Sequence, residues 1–223
     1  MPASEFPANT PQGGYYTWSL TVTNSYGLET TYTVRITRDS VPPRLTGGLD
    51  NASDTGVQGD NITHNSTPTF SGSTEAGLKV TITLNGQNYT VTANNAGKWS
   101  FTVPETLRDG NYDYSISTVD KAGNLSPTIT GTLTVDNSSV ALTGGLDTTA
   151  DPNIANGWSN NNDQTLKGTA TPGATVIVTI NGMTYTPIVT ADGNWTLALP
   201  DLSNNSYSYT VTATNTAGNI IDH

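Results

Sequence analysis

Short runs of alternating apolar and polar residues fill the centre of the chain: TPTFSGST, LKVTITLNG, QNYTVTAN, KWSFTVP, NYDYSISTVD and TITGTLTVD. Successive side chains of an extended strand point to opposite faces, so a period of two predicts strands buried on one side. Asn-Gly, Ala-Gly-Lys and Asp-Gly-Asn punctuate the runs, and Asn85-Gly86 and Asn181-Gly182 are the dipeptides that tight two-residue hairpins favour. The faces expected to point inward are Val80, Ile82 and Leu84; Trp99, Phe101 and Val103; and Tyr112, Tyr114, Ile116 and Thr118. No stretch carries the 3.6-residue period of a helix over a useful length.

The pattern is written more than once. LTGGLD at 45 returns at 142, LNGQNYT at 84 as INGMTYT at 180, AGKW at 96 as DGNW at 192, and DKAGN at 120 as NTAGN at 215, offsets of 95 to 97 residues. The inward set recurs as Val176, Val178 and Ile180; Trp195, Leu197 and Leu199; and Tyr207, Tyr209 and Val211. GYYTWSLTVTNSYGL at 14 aligns with GNYDYSISTVDKAGN at 110, which makes the start of the chain the last two strands of an earlier unit. The expected domains are 1–39, the C-terminal part of a repeat; 40–136, a complete repeat; and 137–223, a repeat without most of its last strand. With a short opening strand near Leu45, each full unit holds about seven antiparallel strands. The expected fold is therefore all-β, a tandem array of immunoglobulin-like β-sandwich repeats forming an elongated rod.

Composition narrows the chemistry. The net charge is -10 and the pI about 4.2, with eight basic residues in 223, which argues against nucleic-acid or anionic-membrane partners. Cysteine is absent, so neither disulfides nor thiolate–metal sites hold the repeats. No apolar run is long enough to span a bilayer and the first residues lack a signal-peptide core, so no direct membrane insertion is expected. The two histidines, His64 and His223, fall in a loop and at the terminus, and no phosphate loop or nucleophile elbow is present, so an enzyme is not expected.

Fourteen of the eighteen acidic residues are Asp, the short carboxylate of turns and cation sites. Asp120 and Asp136 follow the last two strands of the complete repeat, and Asp147 and Asp151 lie in the opening segment of the next. If these meet at one junction, four carboxylates repel one another unless a cation neutralises them, and Ca²⁺ takes six to eight oxygens in an adaptable shell. The preceding junction repeats the layout with Asp39, Asp50 and Asp54, and has Asn24 in place of Asp120. The alternative is that each Asp closes a local turn. Asp60, Asp109, Asp163 and Asp192 have no acid one repeat away and, with Asp201, are assigned to turns.

The run LTGGLDNASDTG, NSTPTFSGSTEAG, NNAGKWSFTVP, LRDGNYDYSISTVDKAGN and TVDNS resembles the bacterial Ig-like repeats of giant adhesins exported by type I secretion, over essentially the whole chain. The resemblance implies a secreted, cell-surface, monomeric array whose neighbouring repeats pack in cis, with Ca²⁺ at the junctions and attachment to host cells, through glycans, by the parent protein. It carries the junction role to Asp39, Asp50, Asp54, Asp120, Asp136, Asp147 and Asp151, while Asn24 and Asn215 depart from the Asp of the AGN loop. A second expectation is a module that binds host carbohydrate itself, with Trp158 or Tyr26 stacking on a sugar ring.

Overall fold

A computed structural model of the protein describes residues 15–149, 154, 158–199 and 201–223. Among these residues there is no α-helix, and no helix is long and apolar enough to cross a membrane. The described residues begin with an antiparallel hairpin, β1 (Tyr15–Thr23) and β2 (Glu29–Thr37), in continuous register from Tyr15 against Thr37 to Thr23 against Glu29. Its turn is closed by Asn24, whose Oδ1 accepts the N–H groups of Tyr26 and Leu28 at 2.9 and 3.0 Å.

The middle repeat contributes two sheets. One is ordered β3-β5-β8, from β3 (Thr46–Leu49), β5 (Thr69–Ser73) and β8 (Lys98–Thr102). The other is ordered β4-β10-β9-β6-β7, from β4 (Ile62–Thr63), β6 (Lys79–Leu84), β7 (Gln87–Thr92), β9 (Gly110–Thr118) and β10 (Ile129–Val135). The strand count is eight where the alternation predicted about seven. The extra one, β4, is two residues long and pairs parallel with β10, Ile62 against Thr134 and Thr63 against Val135. Two residues carry no periodicity, so only the tertiary partner makes them a strand.

The third repeat follows the same plan. β11 (Leu142–Leu146), β12 (Gln164–Ala170) and β15 (Asn194–Leu199) form one sheet in that order. The order of the other is β14-β13-β16-β17, from β13 (Thr175–Ile180), β14 (Met183–Tyr185), β16 (Tyr209–Thr214) and β17 (Ile220–Asp222). The Asn-Gly turns form as expected, with Asn85 and Gly86 at φ 47° and 80° and Asn181 and Gly182 at 50° and 75°. β14 is half the length of β7 and stops two residues before Pro187, which has no N–H to give a ladder.

By contact the chain divides into two compact units, Met1–Gly48 with Ser71–Ser100 and Ser115–Thr130, and Leu49–Phe70 with Phe101–Tyr114 and Gly131–His223. In the first unit the Trp99 ring lies against Gly47 and Gly72, where an added Cβ would sit 2.2 and 2.7 Å from its Cζ2 atom. In the second, Trp195 lies over Gly144 in the same way, and its Nε1 donates to the Thr143 carbonyl at 3.2 Å. The first glycine of each LTGG is thus the floor for a core tryptophan. Val176, Val178, Trp195, Leu199 and Val211 are buried about it, joined by Leu166, Ala170, Ala174 and Ala213. In the middle repeat Val80, Ile82, Leu84, Trp99, Val103, Tyr114, Ile116 and Thr118 are buried as the alternation requires, while Phe101 and Tyr112 are half-buried.

Candidate metal centre

Asp54 is the most informative of the expected metal residues. It sits in the loop between β3 and β4 and is only 5% exposed. A helical turn puts it there: the Asp50 carbonyl accepts the N–H groups of Ser53 and Asp54 at 2.8 and 2.9 Å, and Asp50 Oδ1 accepts that of Ala52 at 3.0 Å. Asp50 is tied to the sheet through its own N–H, which donates to the Thr69 carbonyl at 2.8 Å. One oxygen of Asp54, Oδ2, accepts the Gly59 N–H; the other, Oδ1, is buried without a hydrogen-bond partner. A buried carboxylate with half its lone pairs unused costs free energy unless something electropositive meets it. Its charge is felt nearby: Tyr114 has its pKa raised, first by burial and then by the negative charge of Asp54.

The other expected ligands are better satisfied. Asp120 opens a tight loop in which its Oδ1 accepts the N–H groups of Ala122 and Asn124 and its Oδ2 accepts Asn124 Nδ2 at 2.8 Å. These bonds, the Asn124 side chain foremost, hold its pKa below the ordinary value. Asn24 and Asn215 build the same loop with a neutral side chain, Asn215 Oδ1 accepting the Asn219 N–H at 2.9 Å. Loop closure therefore needs the oxygen rather than the charge. Asp147 is occupied differently: Lys167 Nζ lies 2.6 Å from its Oδ1, which also accepts the Thr149 N–H and hydroxyl. The hydrogen bond from Lys167, then those from Thr149, bring its pKa down to about 2. An ammonium already supplies the positive charge there. Asp151 lies outside the described residues.

The grouping differs from the expected one. Asp120 and Asp136 flank opposite ends of β10, seven residues or about 23 Å of extended chain, so they belong to different clusters. In the first unit Asn124 Nδ2 donates to the carbonyl of Asp39 at 3.3 Å. The second unit has the same clasp one repeat on: Asn219 Nδ2 donates to the Asp136 carbonyl at 2.8 Å, and Asn215 Nδ2 to Asp136 Oδ2 at 3.3 Å. The AGN loop of one repeat thus grips the aspartate that ends the repeat before it. The error in the sequence expectation was topological, because residues following two consecutive antiparallel strands lie at opposite ends of the sheet. Among the described residues no three acidic or histidine side chains converge on one point.

Several residues at the second clasp carried no earlier assignment. Thr55 Oγ1 donates to the Ala217 carbonyl at 2.6 Å, His64 Nδ1 lies 2.9 Å from the same oxygen, and the Val57 N–H donates to the Thr216 carbonyl at 3.2 Å. Gly56 and Gly218 are in direct backbone contact, a Cβ on Gly56 falling 2.1 Å from the Thr216 carbonyl oxygen. Positive φ at both, 74° and 85°, is a second reason for glycine. The loop that carries Asp54 is in this way fastened to the AGN loop of the following repeat. Of the two candidate sugar platforms, Tyr26 is 88% and Trp158 81% exposed.

Sheet order, spacing and core define a protein of immunoglobulin-like repeats. Residues 41–137 match the family described as bacterial Ig-like domain, and residues 152–222 the family described as bacterial Ig domain. Comparison with curated proteins found no match. Among solved structures, the chain is similar to one concerned with host cell surface retention of a 1.5-MDa bacterial ice-binding adhesin, at 28% identity over 93% of this chain and 71% of that one, TM-score 0.41. It is also similar to a Ca²⁺-stabilized adhesin with which an Antarctic bacterium binds ice, at 26% identity over 94% and 55%, TM-score 0.38. A third is a tetra-tandem repeat from the extending region of a large adhesion protein, at 22% identity over 94% and 55%, TM-score 0.40. The chain thus spans little more than half the length of the last two.

Proposed function

We propose that this chain is a spacer segment of a bacterial surface adhesin, exported by a type I system, in which Ca²⁺ bound in the junction loops stiffens successive repeats. The parent protein attaches to host cells, and these repeats act without catalysis. The buried, half-unpartnered carboxylate of Asp54 is the observation that carries the cation reading. Asp54, with Asp50 and the backbone carbonyls of their loop, offers the hard oxygen donors that Ca²⁺ prefers. The ion would supply the positive charge that Asp54 Oδ1 lacks. Because this loop is fastened to the 215–219 loop, ordering it also orders the clasp to the next repeat. Asp39, Asp120 and Asp136 serve the clasps, whereas Asp147 is the least suited to an ion because Lys167 holds it.

The test is a crossover in sign. With EDTA, Asp54→Asn is expected to be as stable as the parent chain or more so, since it removes a buried charge. With millimolar Ca²⁺ the parent is expected to gain about 2–3 kcal/mol once the ion exceeds its Kd about 100-fold, and the variant to gain little. Thermal melts of both proteins in both conditions decide it. A parent melting temperature indifferent to Ca²⁺ and EDTA overturns the reading.

A further inference from the structure

Met183 is the one methionine of the chain besides Met1, and it opens β14, the edge strand of its sheet. Methionine belongs to the residue types most often buried, yet this side chain is 61% exposed. The hairpin fixes where its sulfur goes. Ile180 pairs with Met183 across the Asn181-Gly182 turn and Val178 pairs with Tyr185, so Met183 and Tyr185, two apart on one strand, share a face. The Tyr185 ring packs against the core of the repeat, while its hydroxyl donates to Met183 Sδ at 3.7 Å. A thioether sulfur is a weak acceptor, so the hydroxyl is matched to a poor partner.

The middle repeat shows what else the position takes. LNGQNYT aligns with INGMTYT, which makes Gln87 the counterpart of Met183 and Tyr89 that of Tyr185. Gln87 pairs with Leu84 as Met183 pairs with Ile180, and it too is exposed. Glutamine carries its amide oxygen on the δ atom of an unbranched side chain. A methionine sulfoxide carries its oxygen on the δ atom of an unbranched side chain as well.

We propose that Met183 is an oxidation site at which a peroxide deposits one oxygen without cost to the fold. The sulfoxide takes the place that Gln87 fills one repeat earlier, and it gives the Tyr185 hydroxyl a stronger acceptor than the thioether. In the step, a lone pair of Sδ attacks one oxygen of hydrogen peroxide and the S–O bond forms as the O–O bond breaks. The proton of the transferred hydroxyl passes to the departing one, which leaves as water; sulfur loses two electrons and the peroxide gains them. A sulfoxide disrupts a core because it sets a polar group among apolar ones, and at this surface position that penalty is absent. The proposal rests on the hairpin and the internal repeat, not on the cation reading.

The test treats the full chain with hydrogen peroxide, alongside Met183→Gln and Tyr185→Phe, and locates the added oxygen by peptide mass mapping, which separates Met183 from Met1. The Met183 peptide is expected to gain one oxygen at a rate within about threefold of N-acetylmethionine amide, as exposure dictates. The parent melting temperature is expected to move by less than about 1 °C on oxidation, and Met183→Gln to melt within about 1 °C of the parent. The shift on oxidation is expected to be about 2 °C more favourable in the parent than in Tyr185→Phe, which has no hydroxyl to donate. Uptake at Met183 more than about tenfold slower than in the free amide overturns the proposal, as does a fall of about 3 °C or more in the oxidised parent. Equal shifts in the parent and Tyr185→Phe overturn it as well, since the hydroxyl then plays no part.

Discussion

At the scale of single residues, the recurring LTGG acquires a steric reason. Gly144 lies under Trp195 with 2.6 Å between a hypothetical Cβ and Cζ2, whereas nothing lies within 4 Å of a Cβ at Gly145. Gly144→Ala is therefore expected to cost about 1–3 kcal/mol, as overpacking of a filled core does, and Gly145→Ala much less. Urea denaturation of the two variants gives the comparison directly. Asp147 makes a second residue-level case. Its folded pKa, about 2, lies below the ordinary value of 3.8, so its contribution to stability is present above the unfolded pKa and is lost as pH falls from about 4 towards 2. Lys167→Met should move the Asp147 carboxyl back towards the ordinary range, read from its carbon chemical shift in an NMR titration. A carboxyl still titrating near 2 in that variant would show that Thr149 alone holds it.

Among the elements, the longer strands were legible because each alternates and each ends at a turn residue; Val176-Ile177-Val178-Thr179-Ile180 buries every second side chain as written. Three things were not legible. β4 is too short to carry a period and exists because β10 offers an edge. The partner of Asp147 comes from β12, brought alongside β11 by the register Leu146 against Leu166, and no local motif announces it. The grouping of carboxylates depends on which end of an antiparallel sheet each loop occupies, and once that is respected Asp39 goes with the 120–124 loop and Asp136 with the 215–219 loop. The acids themselves were readable from composition and recurrence; that Asp54, alone among the described acids, is buried with an unused oxygen needed the fold. The AGN loops follow as a prediction at this scale. Asn219→Ala removes the donor to the Asp136 carbonyl and is expected to cost about 1 kcal/mol with or without Ca²⁺, because this particular hydrogen bond joins neutral groups. A loss that appears only in Ca²⁺ would instead make Asn219 part of the ion's shell.

For the molecule as a whole, the question is how one repeat senses the next. Within the second unit the answer runs through backbone rather than apolar area: Thr55 and His64 on the Ala217 carbonyl, Val57 on Thr216, and Gly56 against Gly218. Such a contact tolerates no side chain at its centre, because a Cβ on Gly56 meets the Thr216 carbonyl oxygen at 2.1 Å and the Gly218 nitrogen at 2.6 Å, both backbone atoms with little freedom to move. Gly56→Ala is therefore expected to part the two loops without touching either hydrophobic core. In hydrogen exchange, the amides of Val57 and of residues 216–218 should then lose protection together, by about tenfold or more, while the β13 and β6 amides keep theirs. In calorimetry the variant should unfold over a broader or divided transition, since repeats joined by fewer hydrogen bonds melt more independently. If protection falls at Val57 alone and the 216–218 amides are unmoved, the loops are only neighbours, and Ca²⁺ at Asp54 would then order its own loop without reaching the next repeat.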